Sequence, residues 1–87
     1  MLTKKVIVTN ETGLHARPAS KLVKETSKYQ SEIKIAKNDK EANGKSLMSV
    51  LALGVTKGEV VELKVSGPDE VNALNGLVAL FEQNFGE

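Results

Sequence analysis

The period of the apolar residues changes repeatedly along this 87-residue chain, and that constrains its fold more than any other feature. Glu32-Ile33-Lys34-Ile35-Ala36-Lys37 alternates polar with apolar, as does Val61-Glu62-Leu63-Lys64-Val65. That period belongs to half-buried strands. Ala16, Ala19, Leu22, Val23 and Thr26 instead recur at helical spacing, with Lys21, Lys24, Glu25 and Lys28 between them. They predict a helix over about 16–27. Val71, Leu74, Leu77, Val78, Phe81 and Phe85 form a second helical stripe running to near the last residue. Ser66-Gly67-Pro68-Asp69-Glu70 precedes it and reads as a helix start: a cap candidate, a proline in the first turn, and acids at the positive end of the dipole.

The remaining segments fit between these. Val6-Ile7-Val8 is a β-branched run, ended by a loop over Thr9-Asn10-Glu11-Thr12-Gly13. Asn38-Asp39 suits a two-residue turn and makes 40–43 a short return strand. Ser46 suits an N-cap and Gly54 a C′ position, which brackets a helix of about two turns. Lys57-Gly58 is another turn. The order β-α-β-β-α-β-α predicts one domain over 1–87, an α+β two-layer sandwich with helices on one face of a four-stranded sheet. The hairpin requires one antiparallel pair. The pattern leaves the full strand order open.

Composition excludes several functions. Without cysteine there is no thiolate nucleophile, disulfide framework or cysteine-ligated metal, and one histidine, His15, builds no multi-histidine centre. No metal and no cofactor is expected. A net charge of +1 is too small for a nucleic-acid footprint, and three aromatics provide no stacking platform. No apolar run is long enough to insert into a membrane. Met1-Leu2-Thr3-Lys4-Lys5 is not followed by a leader's apolar segment, so a cytoplasmic protein beginning at its own methionine is the expectation.

The chemistry concentrates in Gly13-Leu14-His15-Ala16-Arg17-Pro18-Ala19-Ser20. Gly13 permits a sharp turn. Pro18 lies in the first helical turn, where its missing N–H costs nothing. His15 therefore falls at or beside the N-cap. The unpaired N–H groups there would meet a phosphoryl group on its ring, and Arg17 adds charge-assisted hydrogen bonds. The same positive field favours a neutral, nucleophilic ring. A histidine that merely caps its helix is the plainer alternative. Ser46 follows Lys45 and precedes Leu47-Met48. It reads either as a simple cap or as a regulatory phosphorylation site, where phosphate alters partner binding through charge. Leu47, Met48, Leu51 and Leu53 are too many apolar residues for one side of a short helix; either all pack in a small core or, the reading favoured for Leu47, Met48 and Leu51, some form a partner-binding patch. Ser20 and Lys24 join that partner surface.

Gly13–Ser20 resembles the active-site signature of the HPr family, the histidine-containing phosphocarriers of the bacterial phosphoenolpyruvate:sugar phosphotransferase system. Lys45-Ser46-Leu47-Met48 resembles the family's second signature, and the two lie the right distance apart. The resemblance covers the whole chain. It implies an open-faced sandwich with a four-stranded antiparallel sheet and three helices. It also implies that His15 accepts phosphate on Nδ1 from phosphorylated enzyme I and passes it to enzyme IIA domains, with Arg17 holding the group. Ser46 is then the target of an HPr kinase/phosphorylase, and its phosphorylated form a co-effector of a catabolite repressor protein. The expected state is a monomer without independent turnover. Ser49, Leu51 and Ser20 stand where relatives often carry Gly, Met and Thr. One relative of this fold has Gln in place of the histidine and acts only in regulation, and His15 argues against that role here. A mainly regulatory module and a nitrogen-regulating phosphotransferase paralogue are the alternatives.

Overall fold

Four antiparallel strands and three α-helices alternate along the chain in the computed structural model, which describes residues 1–86. The strands are β1 (Leu2–Ile7), β2 (Glu32–Lys37), β3 (Lys40–Asn43) and β4 (Val60–Ser66). The helices are α1 (Ala16–Thr26), α2 (Leu47–Ala52) and α3 (Glu70–Glu82), followed by a 3-10 turn at Asn84–Gly86. The sheet order is β1-β4-β2-β3, with every neighbouring pair antiparallel.

Alternation decides which face of the sheet is covered. Ile33, Ile35, Val61, Leu63 and Val65 are fully buried beneath the helices, while Glu32, Lys34, Glu41, Glu62 and Lys64 face outward. α3 lies over β1 and β4, α2 lies beside β3, and α1 packs against both other helices. Ala19 and Leu22 of α1, Val50 of α2, and Ala73 and Leu77 of α3 complete a single core. Thr26 ties the end of α1 to the segment entering α2, its buried hydroxyl lying 2.7 Å from the Gly44 carbonyl and 3.0 Å from that of Val23.

Several sequence expectations shift. The first strand starts at Leu2 rather than Val6, because Leu2, Lys4 and Val6 oppose Val65, Leu63 and Val61 along the whole edge of β4. Val8, though fully buried, lies beyond the strand. The third helix starts at Glu70, with Asp69 at its N-cap and Pro68 outside it. Asp69 does not cap the helix: its carboxylate accepts from the Gln30 and Ser31 N–H groups (2.9 Å each) and from the Ser31 hydroxyl. These bonds hold its carboxyl below the ordinary aspartate range, the Ser31 hydroxyl contributing most. The buried stripe of α3 runs through Ala73, Leu77 and Phe81, and Val71 is exposed. Phe85 is not helical. Asn84 and Phe85 adopt left-handed φ values of 52° and 57°, which swings the Phe85 ring edge-on to Phe81 at 4.8 Å between centroids.

Candidate functional site

The segment carrying His15 is braced from behind. After β1 the chain turns at Asn10, a buried side chain whose amide donates to the Gly13 carbonyl at 2.7 Å. The Gly13 N–H returns to the Asn10 carbonyl at 3.2 Å. Gly13 has φ 62°, and a Cβ there would run into the Val55 carbonyl and lie 2.7 Å from Thr56 Cα. Both facts demand glycine. Leu14, buried, then donates its N–H to the Val55 carbonyl at 3.0 Å. The next residue is His15.

His15 is the N-cap of α1, with extended backbone (φ −76°, ψ −177°), and its carbonyl accepts the Ala19 N–H at 2.8 Å. Its ring is exposed and makes no capping hydrogen bond. His15 thus caps α1 through its backbone carbonyl, and its ring takes no part in the cap. Pro18 has no N–H to offer, so the open donors of this helix end are those of Ala16 and Arg17. Among the described residues neither has an acceptor. Arg17 is exposed and pairs with no carboxylate among the described residues. A solvent-facing ring beside two free N–H groups and a free guanidinium can hold a dianionic group without neutralising it elsewhere. Among the described residues no group of three or more His, Asp or Glu side chains could hold a metal.

The platform under this turn was not legible in the sequence. Glu59 accepts from the Thr56 N–H (2.7 Å), the Thr56 hydroxyl (2.8 Å) and the Lys37 ammonium (3.1 Å). These contacts, the Thr56 N–H foremost, push its carboxyl down to about 2. Lys37 also donates to the Gly54 carbonyl at 3.0 Å. The turn at 54–59 is thus locked, and it also receives β1 through Val8 N–H to Glu59 O (2.9 Å) and Gly58 N–H to Val8 O (2.7 Å). The available signal was Gly54 and Lys57-Gly58 punctuating the loop, but no local rule pairs Lys37 with Glu59 across 22 positions.

Ser46 caps α2, its hydroxyl accepting the Ser49 N–H at 3.3 Å, and it is half-buried. Lys45 beside it donates to the Tyr29 carbonyl at 2.6 Å. On α2, Met48 is 78% exposed and Leu47 is 38% exposed, while Leu51 is half-buried against the core. The apolar patch therefore centres on Met48 and Leu47. Ser20 and Lys24 are exposed four residues apart on α1, the helix against which α2 packs.

A family model described as "PTS HPr component phosphorylation site" matches residues 2–83. The phosphocarrier protein HPr of Xylella fastidiosa is 42% identical over 87 residues, covering 100% of this chain and 98% of that protein. That of Treponema pallidum is 41% identical, covering 100% of this chain and 99% of its own. Among solved structures, HPr-C-His from Thermoanaerobacter tengcongensis superposes with a TM-score of 0.97 at 45% identity, covering 100% of this chain and 98% of the other. The Bacillus subtilis catabolite repression containing protein Crh, described as a swapped dimer, gives 0.77 at 38% identity with 97% of each chain covered.

Proposed function

Because the chain belongs to the HPr family of phosphocarrier proteins, we propose that His15 accepts a phosphoryl group from phosphorylated enzyme I and passes it to enzyme IIA domains for sugar uptake. The observation that carries this reading is the His15 ring, exposed and unbonded at a helix start whose N–H groups are open. A neutral ring nitrogen attacks the phosphorus as the donor's phosphorus–nitrogen bond breaks, and the reverse step on the acceptor releases His15 unchanged. Charge on the phosphoryl oxygens is met by the Ala16 and Arg17 N–H groups and by the Arg17 guanidinium. These donors stabilise the group in both directions, and no water-activating base stands beside them in the segment. The protein is then a relay and not a catalyst with its own turnover. The platform at 54–59 contributes orientation, fixing Leu14 one residue before the nucleophile.

Ser46 supports a second, compatible role in regulation. A phosphate there adds about −1.5 to −2 charge beside the exposed Met48 and Leu47. It would weaken docking of an acidic partner while leaving His15 chemically intact, as expected if an HPr kinase/phosphorylase and a catabolite repressor protein act on this chain. Likeness to Crh favours this branch. Ser20 and Lys24 complete the docking surface in this reading, and cytoplasmic location follows from the partners. Among the described residues no helix is long and apolar enough to cross a membrane. The working state is a monomer, although HPr of T. tengcongensis has also been solved as a dimer.

Intact mass after incubation with enzyme I, magnesium and phosphoenolpyruvate tests the relay. One acid-labile, base-stable phosphate is expected on the wild-type chain and none on His15→Ala. Absence of label, with an enzyme I preparation that labels a known carrier, refutes the relay and leaves the regulatory module. His15→Ala that still takes up a Ser46 phosphate from ATP and the kinase would separate the two roles.

A further inference from the structure

We propose that the free edge of β1, with the groove between it and α3, is a docking site for an extended acidic segment of a partner protein, which adds to the sheet as another strand. Among the described residues β1 pairs only with β4, so its second edge presents unpaired backbone groups. A groove of about 400 Å³ runs beside that edge, lined by Lys4, Val6, Ile7, Val78, Phe81 and Glu82 among others. It lies apart from α1 and α2, where the phosphoryl and regulatory residues sit.

The register specifies the occupant. Residues directly opposed across strands share a face. Lys4 and Val6 oppose buried Leu63 and Val61, so they lie on the groove side. Lys5 and Ile7 oppose Glu62 and Val60 on the sheet's other face, and both still border the groove at the strand edge. Among the described residues Lys4 and Lys5 make no ion pair, whereas Lys28, Lys34, Lys37, Lys57 and Lys64 all have carboxylate partners. Ile7 is 57% exposed. The edge therefore offers two free cations followed by two apolar residues. An added strand fits when acids oppose Lys4 and Lys5 and apolar side chains oppose Val6 and Ile7. Run antiparallel, the partner reads apolar-apolar-acid-acid. β4 already meets the other edge in a similar sense, with Val60-Val61-Glu62 opposite Ile7, Val6 and Lys5. Glu82 at the apolar end of the groove discourages an acid there. A second copy of this chain is disfavoured, because antiparallel pairing of two β1 strands about their centre sets Lys4 against Lys5.

Edge lysines also serve simply to repel stray strands. The two roles separate in an amide chemical-shift titration of the full ¹⁵N-labelled chain with an acetylated, amidated hexapeptide Thr-Val-Val-Glu-Glu-Thr. Expected are shifts confined to residues 4–7 and 78–82, with a dissociation constant on the order of 1 mM. Affinity should fall at least about tenfold, two opposed charge pairs having become repulsive, for the peptide with Lys in place of Glu. The same loss is expected in the Lys4→Glu/Lys5→Glu variant, with unchanged α1 shifts reporting that it is folded. No shifts up to about 5 mM peptide, equal shifts with the lysine peptide, or shifts centred on α1 and α2 would each overturn the proposal. Concentration-dependent shifts of β1 without peptide would overturn the choice of occupant in favour of a second copy.

Discussion

Gly13 and Gly54 have nearly the same backbone conformation, φ 62° and 65°, but opposite surroundings. A Cβ at Gly54 meets nothing within 4 Å, whereas one at Gly13 collides with the Val55 carbonyl and comes within 2.7 Å of Thr56 Cα. Replacing either by alanine places an L side chain in the left-handed region, at roughly 1–2 kcal/mol. Lower entropy of the unfolded chain offsets about 0.4–1 kcal/mol of that in both. Gly54→Ala should therefore cost about 1 kcal/mol. Gly13→Ala adds overpacking against backbone that cannot rotate away, about 1–3 kcal/mol. It also loses or lengthens the Leu14-to-Val55 hydrogen bond, about 1 kcal/mol. The expected difference between the two variants is about 2–4 kcal/mol. Urea unfolding followed by circular dichroism measures it directly, with an unchanged slope showing that both variants unfold like the wild type. For a domain of this size each kcal/mol moves Tm by about 4–8 °C, so the variants should separate by at least about 8 °C. The two effects should also part in function. Gly54→Ala keeps its rate of phosphoryl acceptance, and Gly13→Ala, assayed well below its Tm, loses about tenfold or more through displacement of His15. Equal destabilisation of the two variants, within about 0.5 kcal/mol, would refute the bracing of the His15 turn against 55–56.

Thr26→Val keeps the shape of a fully buried side chain but removes its hydroxyl from the Gly44 and Val23 carbonyls, so a loss of about 1–3 kcal/mol in urea unfolding is expected. Phe85→Ala should cost about 3–5 kcal/mol although the residue lies outside α3, because its ring is 1% exposed and packs edge-on against Phe81; a loss under about 1 kcal/mol would mean the turn at 84–86 is not part of the core. The Glu59 carboxyl is held at about 2 in the folded chain, below its unfolded value, so its stabilisation is complete above the ordinary glutamate range and disappears as pH falls toward 2. Glu59→Gln should accordingly show a shallower decline of stability below about pH 4.5 than the wild type, and identical acid limbs would contradict the Thr56 and Lys37 contacts. Arg17→Ala should slow phosphoryl acceptance by His15 while leaving Tm within a few degrees, since its side chain is exposed and packs against nothing in the core.

Local patterning made most of the fold legible, and the departures have specific causes. α1 lies where its stripe places it, and β2, β3 and the caps of α2 follow from alternation, Asn38 and Ser46. Asn38 takes φ 54° in the hairpin turn, the conformation for which its residue type was read. β1 was underestimated because an edge strand tolerates Thr3, Lys4 and Lys5 in sequence, which hides its two-residue period. The third helix departs from its reading at both ends for one reason: an acid read as serving the helix dipole and a phenylalanine read as part of the helical stripe serve tertiary contacts instead. Asp69 serves the turn at Gln30 and Ser31, and Phe85 reaches the core only after the backbone has left the helix.

The site divides along the same line between what is near in sequence and what is near in space. The donors proposed for a phosphoryl group on His15 belong to the next two residues of the chain, so a helix start with Gly13 before it and Pro18 after it suffices to place them. The orientation of that helix start relative to the rest of the molecule is a different matter. It depends on Asn10 holding the Gly13 carbonyl, on Val55 accepting from Leu14, and on Lys37 and Glu59 locking the turn to which Val55 belongs. That turn is also the exit of α2, the helix capped by Ser46. The His15 segment is thus braced, through the hydrogen bond from Leu14 to Val55, by the same backbone that leaves α2. A relay protein has reason to keep this bond rigid. In the proposed relay the phosphoryl group would meet the same donors on arrival and departure, and a rigid brace would spend no ordering entropy at either step.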